Sequence, residues 1–81
     1  MNVEQWKQRE RNACKKCKTY SDRRNWWRGQ ARIASSDFFR NLYTERADTE
    51  AERARYWRGQ METARKNWKF LESAKNEGSA K

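Results

Sequence analysis

The sequence predicts an all-α fold: an antiparallel hairpin of two repeated helices with an N-terminal helix packed against it, making a small three-helix bundle. Three observations predict it. The 81 residues include three glycines and no proline, which leaves little turn chemistry for a multi-stranded sheet. Apolar residues recur at spacings of three and four. The tetrapeptide WRGQ stands at residues 27–30 and again at 57–60. Hydrophobic residues make up 35% of the chain, below the roughly 45–50% of an average globular protein. The core is therefore thin, and a single domain over residues 1–75 needs very regular packing, a metal or a second copy to be stable.

The first expected helix spans about residues 3–18, with Val3, Trp6, Ala13, Cys14 and Cys17 near one face. The second spans 20–43, where Trp27, Ala31, Ala34 and Phe38 form a stripe with Leu42 close behind. The third spans 50–75, with Ala54, Trp57, Met61, Ala64, Trp68 and Leu71 in the same spacing. The last two repeat each other over 19–42 and 49–72: Thr19 falls on Thr49, Asp22 on Glu52, Arg23 on Arg53 and Trp26 on Tyr56. Thr19-x-x-Asp22 and Thr49-x-x-Glu52 read as capping boxes, so each unit starts a helix in the same way. Thirty is not a multiple of seven, and on one straight rod the second stripe would be turned by about 120° from the first. A turn is therefore expected between Tyr43 and Thr49, with Asp48 or Thr49 as its cap. Ser35, Ser36 and Asp37 mark another point where the middle helix could be interrupted. Residues 76–81, NEGSAK, read as a disordered tail with Gly78 as the helix stop.

Charge narrows the function classes. Twenty Lys and Arg oppose eleven Asp and Glu, a formal net of +9. This balance favours an acidic partner such as nucleic acid or an acidic protein surface. There is no histidine, no Gly-rich phosphate loop and no nucleophile elbow, so no catalytic residues and no cofactor are expected. No apolar run approaches the ~20 residues of a membrane span, and no signal-peptide pattern is present. In a chain without those features, two cysteines point to a reducing cytoplasm rather than a disulfide scaffold.

Cys14-Lys15-Lys16-Cys17 invites three readings. A redox pair needs a helix N-terminus to stabilise its thiolate, and this pair falls near the end of the first expected helix. A structural zinc needs four ligands, which Cys14 and Cys17 supply only if two chains pool them across a dimer. The simplest reading is two small apolar side chains facing the core together.

Trp26 and Tyr56 lie about 100° round from their stripes, beside basic residues. With Arg28, Gly29, Arg58 and Gly59 they form the expected partner-binding set. The function read from these features is a non-catalytic basic helical protein that binds a larger protein machine, one handling nucleic acid for example, and regulates or inhibits it in the style of phage and mobile-element products. One alternative is direct DNA or RNA binding through Lys7, Arg11, Lys15, Lys16, Lys18, Arg23 and Arg24 with the exposed aromatics. Another is a structural homo-oligomer, a homodimer being the simplest. The chain shows no helix-turn-helix or zinc pattern of a sequence-reading DNA binder, which ranks the protein partner first. The glycines pose a separate question. Each costs about 1 kcal/mol against alanine inside a helix, so either something approaches the backbone there or both descend from one duplicated helix.

Overall fold

A computed structural model describes residues 1–79, with side chains to Lys75. Among the described residues the chain forms two helices, α1 (Val3–Ile33) and α2 (Asp37–Ser79), and no strand. They fold back on each other as an antiparallel pair of 68 × 16 × 13 Å. The radius of gyration of 18.7 Å compares with about 12 Å for a compact globule of this length. The molecule is a rod two helices thick. No described helix is long and apolar enough to cross a membrane.

Each end of the fold has a local cause. Asn2 caps α1: its side chain accepts from the Gln5 amide at 2.8 Å, and the Gln5 side chain accepts from the Asn2 amide at 2.9 Å, a reciprocal capping box. α1 stops at Ala34, whose backbone is extended at φ −64°, ψ 135°. Ser36 starts α2, its hydroxyl accepting from the Phe39 amide at 3.3 Å. Asp37 in the first turn favours the positive helix end. Arg40 pins this turn by bridging to Asp37 at 3.1 Å and donating to the Ala34 carbonyl at 3.4 Å.

The expected three-helix bundle is thus corrected to a two-helix hairpin. The first two expected helices are one continuous helix. The turn lies at Ala34–Ser36 and not between Tyr43 and Thr49. The reason is visible at the two threonines read as caps. The Thr19 hydroxyl donates to the Lys15 carbonyl at 3.0 Å, and that of Thr49 to the Glu45 carbonyl at 3.1 Å. Both are back-bonds inside a helix, so neither Thr49 nor Asp48 begins one. At the other end the α2 backbone runs through Gly78 to Ser79, past the expected stop; Ala80 and Lys81 lie outside the described residues.

A heptad pattern organises the contact between helices. On α1 the inward series is Val3, Trp6, Glu10, Ala13, Cys17, Tyr20, Arg24, Trp27, Ala31 and Ala34; each is buried or half-buried. On α2 it is Tyr43, Ala47, Glu50, Ala54, Trp57, Met61, Ala64, Trp68 and Leu71, again all buried or half-buried. Steps of three and four alternate without a break in both, the spacing of a coiled-coil seam. The phase resets once, at the turn. That reset is what the thirty-residue offset required, and the unbroken step from Tyr43 through Ala47 to Glu50 is why it cannot lie at 44–48.

Cross-helix contacts set the register. Lys7 lies over Trp68, Lys16 over Trp57, and Arg46 over Trp27, with 4.8, 4.1 and 5.2 Å from charge to ring. In this register Val3 faces Leu71, Ala13 faces Met61, Cys17 faces Trp57, Tyr20 faces Ala54, Trp27 faces Ala47 and Ala31 faces Tyr43. Large faces small in most layers, which lets two helices of such bulky composition lie close. Among the described residues the buried core side chains are all alanine: Ala13, Ala47, Ala54 and Ala64.

Two carboxylates sit in the seam. Glu10 accepts from Arg65 Nε at 2.7 Å and from Trp68 Nε1 at 3.4 Å. The Arg65 hydrogen bond, helped by that of Trp68 and opposed by desolvation, holds the Glu10 carboxyl below its usual range. A lowered folded-state pKa stabilises the hairpin at pH values above the unfolded-state value of about 4.3, and that contribution is lost as pH falls through the folded value. Glu10→Gln is therefore expected to melt with a shallower acid dependence than the parent chain. Identical loss of melting temperature from neutral pH into acid in both proteins would contradict this. Glu50 pairs with Arg53 at 3.6 Å, and its Oε2 is buried without a hydrogen-bond partner.

The glycines of the two WRGQ copies occupy the outermost heptad position of their helices. A Cβ built on Gly29 or Gly59 meets nothing within 4 Å, so no part of the chain approaches the backbone at either. Alanine there is expected to stabilise the hairpin by about 1 kcal/mol per site, read as a raised thermal midpoint. An unchanged or lowered midpoint would contradict the open geometry.

Candidate nucleic-acid interface

Labelling the seam positions a and d places every other residue on a definite flank. Val3 and Ala47 are a; Trp6 and Glu50 are d. In an antiparallel pair the g positions of both helices share one flank, with the c positions beside them, and the e and b positions share the other. The g residues on α1 are Arg9, Lys16, Arg23 and Gln30. On α2 they are Arg46, Arg53, Gln60, Asn67 and Ala74. The c residues are Gln5, Asn12, Thr19, Trp26 and Ile33 on α1, then Leu42, Thr49, Tyr56, Thr63 and Phe70 on α2. Among the described side chains, no g or c residue is acidic. The acids lie elsewhere: Glu4, Asp48 and Glu62 at b, Asp22, Glu45 and Glu52 at f, Glu72 at e, Asp37 at the turn, and Glu10 and Glu50 in the seam. Among the described side chains, Glu50 at d lies beneath the g/c face, paired with Arg53.

The geometry of the g/c face is built from d rings, g cations and c rings. Arg9 lies over Trp6 at 5.5 Å, Arg23 over Tyr20 at 5.4 Å and Arg53 over Tyr20 at 5.8 Å. With Lys16 over Trp57 and Arg46 over Trp27, all five g cations rest on seam aromatics. Such contacts hold the long side chains along the face while their charges stay in water. Outward rings brace on inward ones. Trp26 meets Trp27 edge-on at 4.8 Å, and Tyr56 meets Trp57 edge-on at 5.2 Å. Trp26, Tyr56 and Phe70 remain 58%, 60% and 72% exposed. A shallow cleft on this face is lined by Arg9, Asn12, Ala13, Lys16, Tyr56, Trp57 and Gln60.

The repeat gains a meaning here. Shifting by thirty carries Lys16 onto Arg46, Arg23 onto Arg53, Trp26 onto Tyr56 and Trp27 onto Trp57. In an antiparallel hairpin that shift is a pseudo-twofold rotation through the level of Asp22 and Glu52. Each copy supplies an inward Trp, an outward ring, and a cation that crosses to cover the other copy's Trp. Both copies present these groups on one face.

The expected partner-binding set is divided by this geometry. Trp26 and Tyr56 share the g/c face, Arg28 and Arg58 project from the e flank, and Gly29 and Gly59 lie at f on the back. The expected nucleic-acid set is divided too. Lys16 and Arg23 are on the g/c face; Lys7 is at e, Arg11 and Lys18 are at b, Lys15 is at f and Arg24 is in the seam. Arg9, Arg46 and Arg53 complete the face and were not in that set. The signal that locates them is the heptad phase, readable only once the turn is placed. Cys14 and Cys17 stand mid-helix, with Cys14 exposed and Cys17 half-buried, so they do not face the core together. No group of three or more metal-ligating side chains occurs among the described residues. No family model, curated protein or solved structure matches the chain.

Proposed function

We propose that the hairpin is a non-catalytic binding protein that engages nucleic acid along its g/c face. The observation that carries this reading is the segregation of charge. Acids are spread over the back, the e flank and the seam, while the described g and c side chains contribute five cations and no carboxylate. A chain that needed charge only for solubility would have no reason to clear one face of acids from Gln5 to Ala74. A row of cations interleaved with exposed rings suits phosphates and bases together. Five phosphate contacts would give a slope of about −3.5 in log affinity against log salt on a single strand. Fluorescence anisotropy with labelled DNA and RNA over a salt series checks this. No binding to any nucleic acid at low salt would end the reading.

A second reading, a regulator docked on a larger protein, is favoured by the hairpin tip. Ile33, Phe38 and Phe39 stand exposed around the turn, with Arg32 and Arg40 beside them, an apolar patch rimmed by polar groups of the kind that marks protein contacts. It expects capture of one partner from host extract that survives nuclease treatment. Phe38→Ser, at an exposed position off the g/c face, should lose that capture and keep nucleic-acid binding.

A further inference from the structure

Resting on the nucleic-acid reading, we propose that the ligand is a single strand, with unpaired bases stacking on Trp26, Tyr56 and Phe70. Three features lead there. The first is width. The face is made by both helices together, and even the narrower cross-section of the rod, 13 Å, exceeds the ~12 Å major groove that admits one helix. A face that broad does not seat in the groove to read base edges, so it meets a duplex only at its phosphates.

The second is the exposure and spacing of the rings. Tyr56 and Phe70 are two heptads apart on α2, about 21 Å along the axis. Trp26 lies on the neighbouring helix, about 12 Å beyond Tyr56 by the same rise. Duplex DNA keeps its base faces covered and offers such rings nothing to stack on; a single strand exposes every base face. The third is the chemistry between the rings. Gln5, Asn12, Gln30, Gln60, Thr63 and Asn67 place neutral donors and acceptors at other c and g positions. They hydrogen-bond to sugars, phosphates or base edges without adding a charge that would select one sequence.

The test compares four ligands at one salt concentration: an oligothymidine long enough to span the hairpin, an abasic strand of equal length, a mixed-sequence duplex and poly-glutamate. Oligothymidine is expected to bind at least tenfold more tightly than the abasic strand and the duplex, and to quench tryptophan fluorescence. Trp26→Ala with Tyr56→Ala and Phe70→Ala should remove about five- to 150-fold of the oligothymidine affinity per stacked base lost. Binding of this variant to the abasic strand should stay as in the parent, and circular dichroism should show the helices intact. Equal affinity for oligothymidine, abasic strand and duplex would overturn single-strand stacking while leaving a nucleic-acid ligand in place. Binding to poly-glutamate alone would overturn both and point to an acidic protein.

Discussion

Replacing Arg9, Lys16, Arg23, Arg46 and Arg53 by glutamine is expected to lower nucleic-acid affinity by about three orders of magnitude at 0.1 M salt. Each phosphate contact contributes about 0.7 to the salt slope on a single strand, so losing five removes about 3.5 decades at that concentration. The companion variant replaces Arg11, Lys15, Lys18, Arg55 and Lys66, which lie at b and f on the back of the hairpin. Both variants fall from +9 to +4. If net charge alone drew the ligand, the two would lose affinity equally. The segregated face predicts instead that the back variant loses less than about tenfold and keeps a steep salt slope. Equal losses would remove the case for a defined interface. Glutamine keeps part of each side-chain stem, so the seam rings stay partly covered, and a circular dichroism spectrum checks that the hairpin survives.

The seam residues were legible as helical spacing, and so was the need for a chain reversal. Trp27 and Trp57 on inward stripes, the three-and-four steps of 54–71 and the phase conflict between the two stripes all follow from the letters. The site of the reversal did not. Thr19-x-x-Asp22 and Thr49-x-x-Glu52 satisfy the capping pattern, yet a threonine hydroxyl satisfies itself equally well on the carbonyl four residues back, and nothing local separates the two outcomes. Ser36-Asp37 is an ordinary cap signal of the same strength. Phase decides between them: Tyr43, Ala47 and Glu50 continue the α2 seam, while Val3 through Ala34 form one seam of their own. Glu10, Arg24 and Glu50 hid that continuity, since a polar residue inside the seam reads as a break in the stripe. The row of g cations was hidden for the same reason. Without the phase, Arg9 and Arg11 are two bases in a basic helix; with it, one lies on the cation face and the other on the back. The exposure of Trp26 and Tyr56 was legible because a position next to a stripe depends only on local helix geometry, which is the same in a bundle and in a hairpin.

Ala54→Leu is expected to destabilise the fold strongly. Ala54 is 3% exposed and faces Tyr20, so the added carbons have no space unless the helices separate. Overpacking of this kind costs about 1–3 kcal/mol, and each kcal/mol moves the midpoint of a domain this size by about 4–8 °C. A thermal melt should therefore fall by roughly 5–20 °C. Ala74→Leu, at an exposed position on the same helix, should stay within about 0.5 kcal/mol of the parent. The decisive comparison is the exchange of large for small across the layer, Tyr20→Ala together with Ala54→Tyr. Tyr20→Ala alone leaves a gap, and Ala54→Tyr alone forces two rings into one space. If the register is right, each change relieves the other, and the pair recovers much of the stability that the separate effects would remove. If Ala54 faced any other residue, the double variant would be at least as unstable as the sum of the singles, and the layer assignments along the rod, including those that set the cation face, would fall with it.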